Sequence, residues 1–253
     1  MKSYSFLLLI FLIFPAIGWA QSDNQRAREI FEEVDQRRSS ITSETAEMQM
    51  VIYNSSGDTR SRTLQSFSFN EGDISKSLLI FKEPANVRGT AFLNVSEGDS
   101  EMQKLYLPAL GRIQTISASQ KSDRFMGSDF TYEDLGDQNP DDYTFSLEAE
   151  TDTAYVLYAE KEGASQYDHF RFYIHPKKYT PTHIEYFDAD GQMIKKLVAE
   201  DFEQVGDQLW QPSQMTMYDL ANNRRTELIW QNRSTGDTIP QWRFTERGLR
   251  RGL

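Results

Sequence analysis

The sequence predicts a mainly β, antiparallel domain of sandwich or barrel type with one helix ahead of it. Nearly everything after Glu44 alternates apolar and polar residues with period two, the signature of half-buried strands. Clusters of Asn, Asp and Gly interrupt the alternation at short intervals, as tight turns require. One early stretch instead repeats with helical period. Counting the alternating segments predicts about eleven strands.

The helix is predicted around Ala27, Ile30, Phe31 and Val34, which share one helical face, with Ser22 and Asp23 as caps and Arg26, Arg28, Glu29, Glu32 and Asp35 on the other sides. The first strand follows, with Ala46, Met48, Met50 and Ile52 facing one way and Thr45, Glu47 and Gln49 the other. Residues 54–58 are a turn. Strands over 63–69 and 75–81 flank the Asn70-Glu71-Gly72-Asp73 turn; residues 82–90 break the pattern, and Ala91, Leu93 and Val95 resume it. Pro108 to Gly111 turns one strand into the next. Beyond residue 142, strands are read over 143–149, 154–160, 169–175, 182–187, 193–199, 210–218 and 226–230. Asp188-Ala189-Asp190-Gly191 and Asn222-Asn223 are hairpin turns between them. The closing residues Ile239, Pro240, Trp242, Phe244 and Leu249 read as a tail that docks on the sheet and frays through Arg250 and Arg251.

The chain opens with Lys2, an apolar run over 6–14, and small residues at Gly18 and Ala20, the pattern of a secretory signal peptide, 1–20, cleaved after Ala20. The run is shorter than the roughly 20 residues that cross a bilayer. With Cys 0, lipidation at a mature N-terminal cysteine, disulfides, thiolate metal sites and cysteine nucleophiles are all excluded. The remainder, 21–253, is expected to be a single domain, periplasmic and monomeric. A formal charge of -11, from 38 acidic and 27 basic residues, opposes nucleic acid and standing adsorption to anionic lipid, leaving transient membrane contact.

Between the turn at Pro108 and residue 142 the chain is unlike a strand. The stretch SASQKSDRFMGSDF sets small and charged residues around Phe125, Met126 and Phe130, which describes a loop or short helical lid with apolar anchors. These anchors either close over a cavity mouth and move, or staple the loop to the sheet. Together, LYLPALGR, FMGSDFTYEDL and the preceding Pro-x-x-x-Arg-Gly connection at Pro84 to Gly89 resemble the LolA-like outer-membrane lipoprotein-sorting proteins, in their branch with a longer central loop.

That resemblance implies a strongly curved antiparallel half-barrel whose concave face, covered by a helix and a loop lid, receives acyl chains of lipoproteins or free lipid. It further implies a carrier working toward the outer membrane, partnered by an inner-membrane exporter of the RND type. No position matches the arginine and aromatic residues by which the best-known carriers hold cargo, so a role as general lipoprotein chaperone does not follow. Met48, Met50, Leu93, Leu105, Leu107, Phe145, Phe170, Phe172, Met215 and Met217 are the candidate cavity residues, on inward faces where unbranched Met adapts to irregular ligands. The same alternation is also what an ordinary filled core produces.

Chemistry-bearing clusters are sparse. His169 and His175, six apart on one strand, lie about 20 Å from each other and cannot share an ion, even with His183 nearby. Asp188 to Gly191 lacks the rest of a calcium loop. Ser100 and Ser128 lack the strand-to-helix setting of a nucleophile elbow. Asp129, Glu133 and Asp134 read as a solvated acidic cluster. No cofactor, metal or catalytic residue is therefore expected. Two other classes stay open: a non-catalytic adaptor subunit of an envelope transporter, binding through a sheet edge or cavity mouth, and a hydrolase of envelope lipids.

Overall fold

Tight turns between consecutive strands dictate neighbour-to-neighbour antiparallel pairing, and the computed structural model is built that way over the described residues 17–252, with side chains described from residue 23. The expected signal peptide lies outside the described residues, apart from the backbone of its last four. Among the described residues no helix is long and apolar enough to cross a membrane.

Helix α1 (Ile17–Ser39) precedes strands β1 (Ser43–Tyr53), β2 (Thr59–Glu71), β3 (Ile74–Glu83), β4 (Ala91–Glu97), β5 (Ser100–Leu107) and β6 (Arg112–Thr115). After the central stretch come β7 (Tyr143–Glu150), β8 (Tyr155–Lys161), β9 (His169–Ile174), β10 (Pro181–Phe187), β11 (Met193–Val205), β12 (Leu209–Asp219), β13 (Arg224–Thr235) and the short helix α2 (Glu246–Arg251). The helix starts before Ser22 and Asp23 and runs through them, so neither is its cap. The sheet has 13 strands rather than about eleven; β5 and the four-residue β6, on the two sides of Pro108, pair with each other.

Strand order is β6-β5-β4-β3-β2-β1-β13-β12-β11-β10-β9-β8-β7, an open half-barrel. Two meanders meet where β1 pairs with β13. The edge strands, β6 and β7, are consecutive in the chain. Residues 116–142 must therefore travel from one rim of the half-barrel to the other, and the central stretch becomes a strap across the concave side.

Two apolar clusters occupy opposite faces. The larger joins Ala27, Ile30 and Phe31 of α1, Phe125, Phe130 and Tyr132 of the strap, and the inward residues of most strands. The smaller lies outside β2 to β5, where Phe67, Leu78, Ile80, Ala91 and Leu93 are covered by Ile239, Phe244 and Leu249. The tail docks as anticipated, but it does not fray. Thr245 caps α2 through its side chain, Arg250 lies over the Tyr106 ring, and Arg251 lies over Trp242.

Candidate functional site

The strap is fixed by polar contacts that its sequence disguises. Asp129 is fully buried. Its carboxylate accepts hydrogen bonds from Arg124 (2.9 Å), Arg224 (2.9 Å) and the Thr226 hydroxyl (2.7 Å), while its own N–H donates to Thr226 Oγ1. Arg124 also pairs with Asp219. One turn later Asp134 accepts from Lys195 Nζ (3.0 Å) and the Tyr167 hydroxyl (2.7 Å), and Glu133 accepts from Ser165 and Gln166. Burial, then the Asp134 charge, holds the Tyr167 phenol well above the ordinary range, so it stays a donor. The acidic residues of FMGSDFTYEDL are thus buried anchors and not a solvated cluster. Isolated buried carboxylates would be costly; Asp129 and Asp134 each have cationic and hydroxyl partners, and Glu133 has the Ser165 hydroxyl and Gln166 amide donors.

Apolar anchors act with them. Phe125 sits against Phe81, Phe92 and Tyr132, with ring centroids 5.1–5.9 Å away, and is a staple. Met126 takes a left-handed φ of 50°, and its carbonyl accepts from Arg62 at 2.6 Å. Phe130 borders empty space on two sides, whereas Phe125 borders it on one.

That space consists of two adjoining cavities on the concave side. One of about 170 Å³ is lined by Met48, Met50, Leu79, Phe92 and Phe125. The other, about 340 Å³, lies among Val34 of α1, Tyr179, Ile184, Leu197, Ala199, Trp210 and Met215. Phe130, Leu135, Leu228 and Trp230 line both. The pair makes an apolar cleft beneath the strap and beside the helix, closed on its far side by β1, β13, β12, β11 and β10.

The comparisons follow from this shape. A family model described as "Uncharacterized protein" matches residues 73–251. The fold resembles that of an outer membrane lipoprotein-sorting protein domain from Vibrio parahaemolyticus, with 29% identity, coverage of 90% of this chain and 99% of that one, and a TM-score of 0.85. The chain belongs to the family of that model, and its structure neighbours are LolA-like outer-membrane lipoprotein-sorting proteins. Two more solved structures share the LolA-like architecture at lower identity. A DUF1329 family protein from Desulfovibrio piger has a TM-score of 0.84 at 23% identity, covering 90% of this chain and 99% of that one. A LolA superfamily protein from Nitrosomonas europaea has a TM-score of 0.68 at 20%, covering 87% and 97%. No curated protein sequence matches the chain.

Within this LolA-like fold the candidate residues divide into three groups. Met48, Met50 and Met215 line the cavities, as do Phe125 and Phe130 of the strap. Leu105, Leu107, Phe145, Phe170, Phe172 and Met217 face the same side but are packed in filled core. The reason is α1: Phe31 stacks on Phe145 (4.6 Å) and Phe172 (5.1 Å), filling the half of the trough that β7 to β9 line. Leu93 is a correction. It points to the outer face with Leu78 and Ile80, whereas Phe92 points inward. β4 is buried on both faces, so its alternation carries no phase. Sequence reading missed Leu135, Leu197, Trp210, Leu228 and Trp230, although Leu228 is opposite Met215 across the ladder and Leu197 is opposite Met217, on the same face.

The weaker candidates resolve locally. Asp188 Oδ1 accepts from the Asp190 and Gln192 amides, so the acidic turn spends its oxygen on itself. His169 stacks on Phe187 at 4.4 Å, and His183 on Tyr173 at 3.7 Å. Ser128 is buried, and its hydroxyl donates to the Phe130 carbonyl.

Proposed function

We propose that this LolA-like protein is a non-enzymatic periplasmic carrier that shields an acyl chain of a lipoprotein or free lipid in the cleft under the strap. One observation carries the reading: apolar space on the concave face, roofed by Phe130 and Leu135 and floored by Leu228 and Trp230. Sites of this size and lining suit small apolar ligands. At about 0.8 kcal/mol per methylene, about ten buried methylenes reach the roughly 8 kcal/mol of a micromolar complex, before the cost of association. Delivery toward the outer membrane, with an inner-membrane exporter of the RND type as partner, extends the same reading by family analogy.

The test is native mass spectrometry with lipid extraction on protein purified from periplasm, together with displacement of a fluorescent fatty acid. A stoichiometric acylated species released by denaturation supports the carrier. Met215→Glu places a carboxylate in the larger cavity at a half-buried position, so the variant folds and loses fatty-acid uptake at least tenfold. An empty protein that takes up no fatty acid refutes the reading and leaves the non-catalytic adaptor.

A further inference from the structure

The concave face is not apolar throughout. On β2 the inward series runs Leu64, Ser66, Ser68, Asn70, and on β3 it runs Phe81, Leu79, Ser77, Ser75, so both strands pass from apolar to polar in the same direction. Cross-strand pairing aligns these changes into a row. Glu44 of β1 is opposite Ser68, Ser68 opposite Ser77, Ser77 opposite Asn94 of β4, and Asn94 opposite Gln103 of β5. Directly opposed residues share a face, so a polar belt crosses five strands beside Met48, Leu79 and Phe92 of the apolar cleft.

Several atoms of this belt have no hydrogen-bond partner among the described residues. Asn94 is 5% exposed and Gln103 2%, yet Asn94 Oδ1 and Gln103 Oε1 are unpartnered, although Gln103 Nε2 donates to the Tyr132 carbonyl. Glu44 Oε2 and Gln211 Oε1 are likewise buried and unpartnered. Glu44 lies 3.5 Å from Arg233, without forming a hydrogen bond to it. Buried polar atoms ordinarily find partners, and four acceptors in one region are out of the ordinary. A chamber of about 150 Å³ lies at the β1 end of the belt, lined by Glu44, Ser68, Ser77 and Gln211 together with Arg38 and Lys76, and reaches Ser77, which is directly opposite Asn94; it shares Ser77 with the smaller apolar cavity and Gln211 with the larger.

We infer that this belt is a head-group subsite, which takes the neutral, hydrogen-bond-donating end of a lipid, a hydroxyl- or amide-bearing linker, whose acyl chain lies in the cleft. The inference rests on the carrier reading and names its substrate class. Beside Glu44 the unpartnered Arg233 Nε and Nη1 are donors, but at the Asn94 and Gln103 end the unpartnered atoms are oxygens, so a free carboxylate or phosphate there would meet acceptor against acceptor. A glycerol hydroxyl or an amide N–H supplies what these oxygens lack.

The experiment displaces a fluorescent acyl-chain probe from the purified protein with three competitors of equal chain length: a fatty acid, a monoacylglycerol and a diacylglyceryl lipopeptide. At least tenfold stronger competition by the monoacylglycerol or the lipopeptide than by the fatty acid is expected, and the tighter of those two identifies a free-lipid or lipoprotein source. Asn94→Leu and, separately, Gln103→Met should cut that preference at least threefold while leaving probe affinity within twofold. The wild-type preference is decisive even if a variant misfolds. Equal competition by all three with the probe still bound overturns the head-group subsite alone. Failure of the wild-type protein to bind the probe overturns the carrier reading and the subsite with it.

Discussion

Removing the Asp129 carboxylate tests whether the strap is a fixed element. Asp129→Ala leaves Arg124 and Arg224 without this partner and strips the Thr226 hydroxyl of its acceptor. Breaking a buried pair from one side costs about 3–5 kcal/mol, because the remaining charge stays desolvated. The arginine side chains here keep 34% and 25% exposure, so the lower end applies, about 3 kcal/mol. For a chain of this size that is a fall in Tm of about 6–12 °C. The assay is thermal unfolding followed by circular dichroism, paired with amide hydrogen exchange over residues 121–135. Exchange there should speed up well before the sheet opens, since the apolar anchors and the Glu133 and Asp134 contacts would hold the strap without its Asp129 anchor. A Tm within about 2 °C of the parent protein and unchanged strap exchange would refute the assignment of Asp129 as an anchor.

Other perturbations probe the remaining elements. Phe31→Ala empties the aromatic stack on Phe145 and Phe172 and should cost about 3–5 kcal/mol by chemical denaturation, while opening new space for acyl probes; a loss under 1 kcal/mol would contradict that packing. Gly248→Ala puts a Cβ against the Arg243 backbone, so α2 should lift from the outer face and increase dye binding at Phe67, Leu78 and Leu93; unchanged dye binding counts against the strain. His183 has its imidazole lowered from 6.5 by burial and then by Lys196. Its neutral form therefore stabilises the fold above the unfolded value, and that contribution is lost as pH falls through the lowered folded one. His183→Phe should flatten the decline of Tm between about pH 7 and 5, with His175, shifted the same way, accounting for part of what is left. An identical slope in the variant would assign the acid sensitivity elsewhere.

Period-two alternation and turn residues made the antiparallel class legible, because each turn residue acts within its own few positions and each strand shows its faces in turn. The helical stretch through Ala27, Ile30 and Phe31 was legible for the same local reason. The stretch FMGSDFTYEDL carried the family resemblance, yet the roles of its charged residues were not readable. Whether Asp129 is solvated or buried depends on Arg224 and Thr226, 95 and 97 residues away, which no local pattern announces.

Inward and outward faces were legible only where one side met water. β1 showed its inner residues Met48 and Met50, whereas β4, apolar on both sides, concealed that Phe92 and not Leu93 faces the cleft. The sequence by itself determined that successive strands carry an apolar face and that the central connection is a loop or short helical lid with apolar anchors. Where the trough is filled and where it stays open was decided by tertiary structure: Phe31 occupies the β7 to β9 side, and no side chain of comparable size enters the space between Trp230 and Leu197. The physical reason is that packing is a property of the volume shared by distant segments, and periodicity reports only which way each residue points.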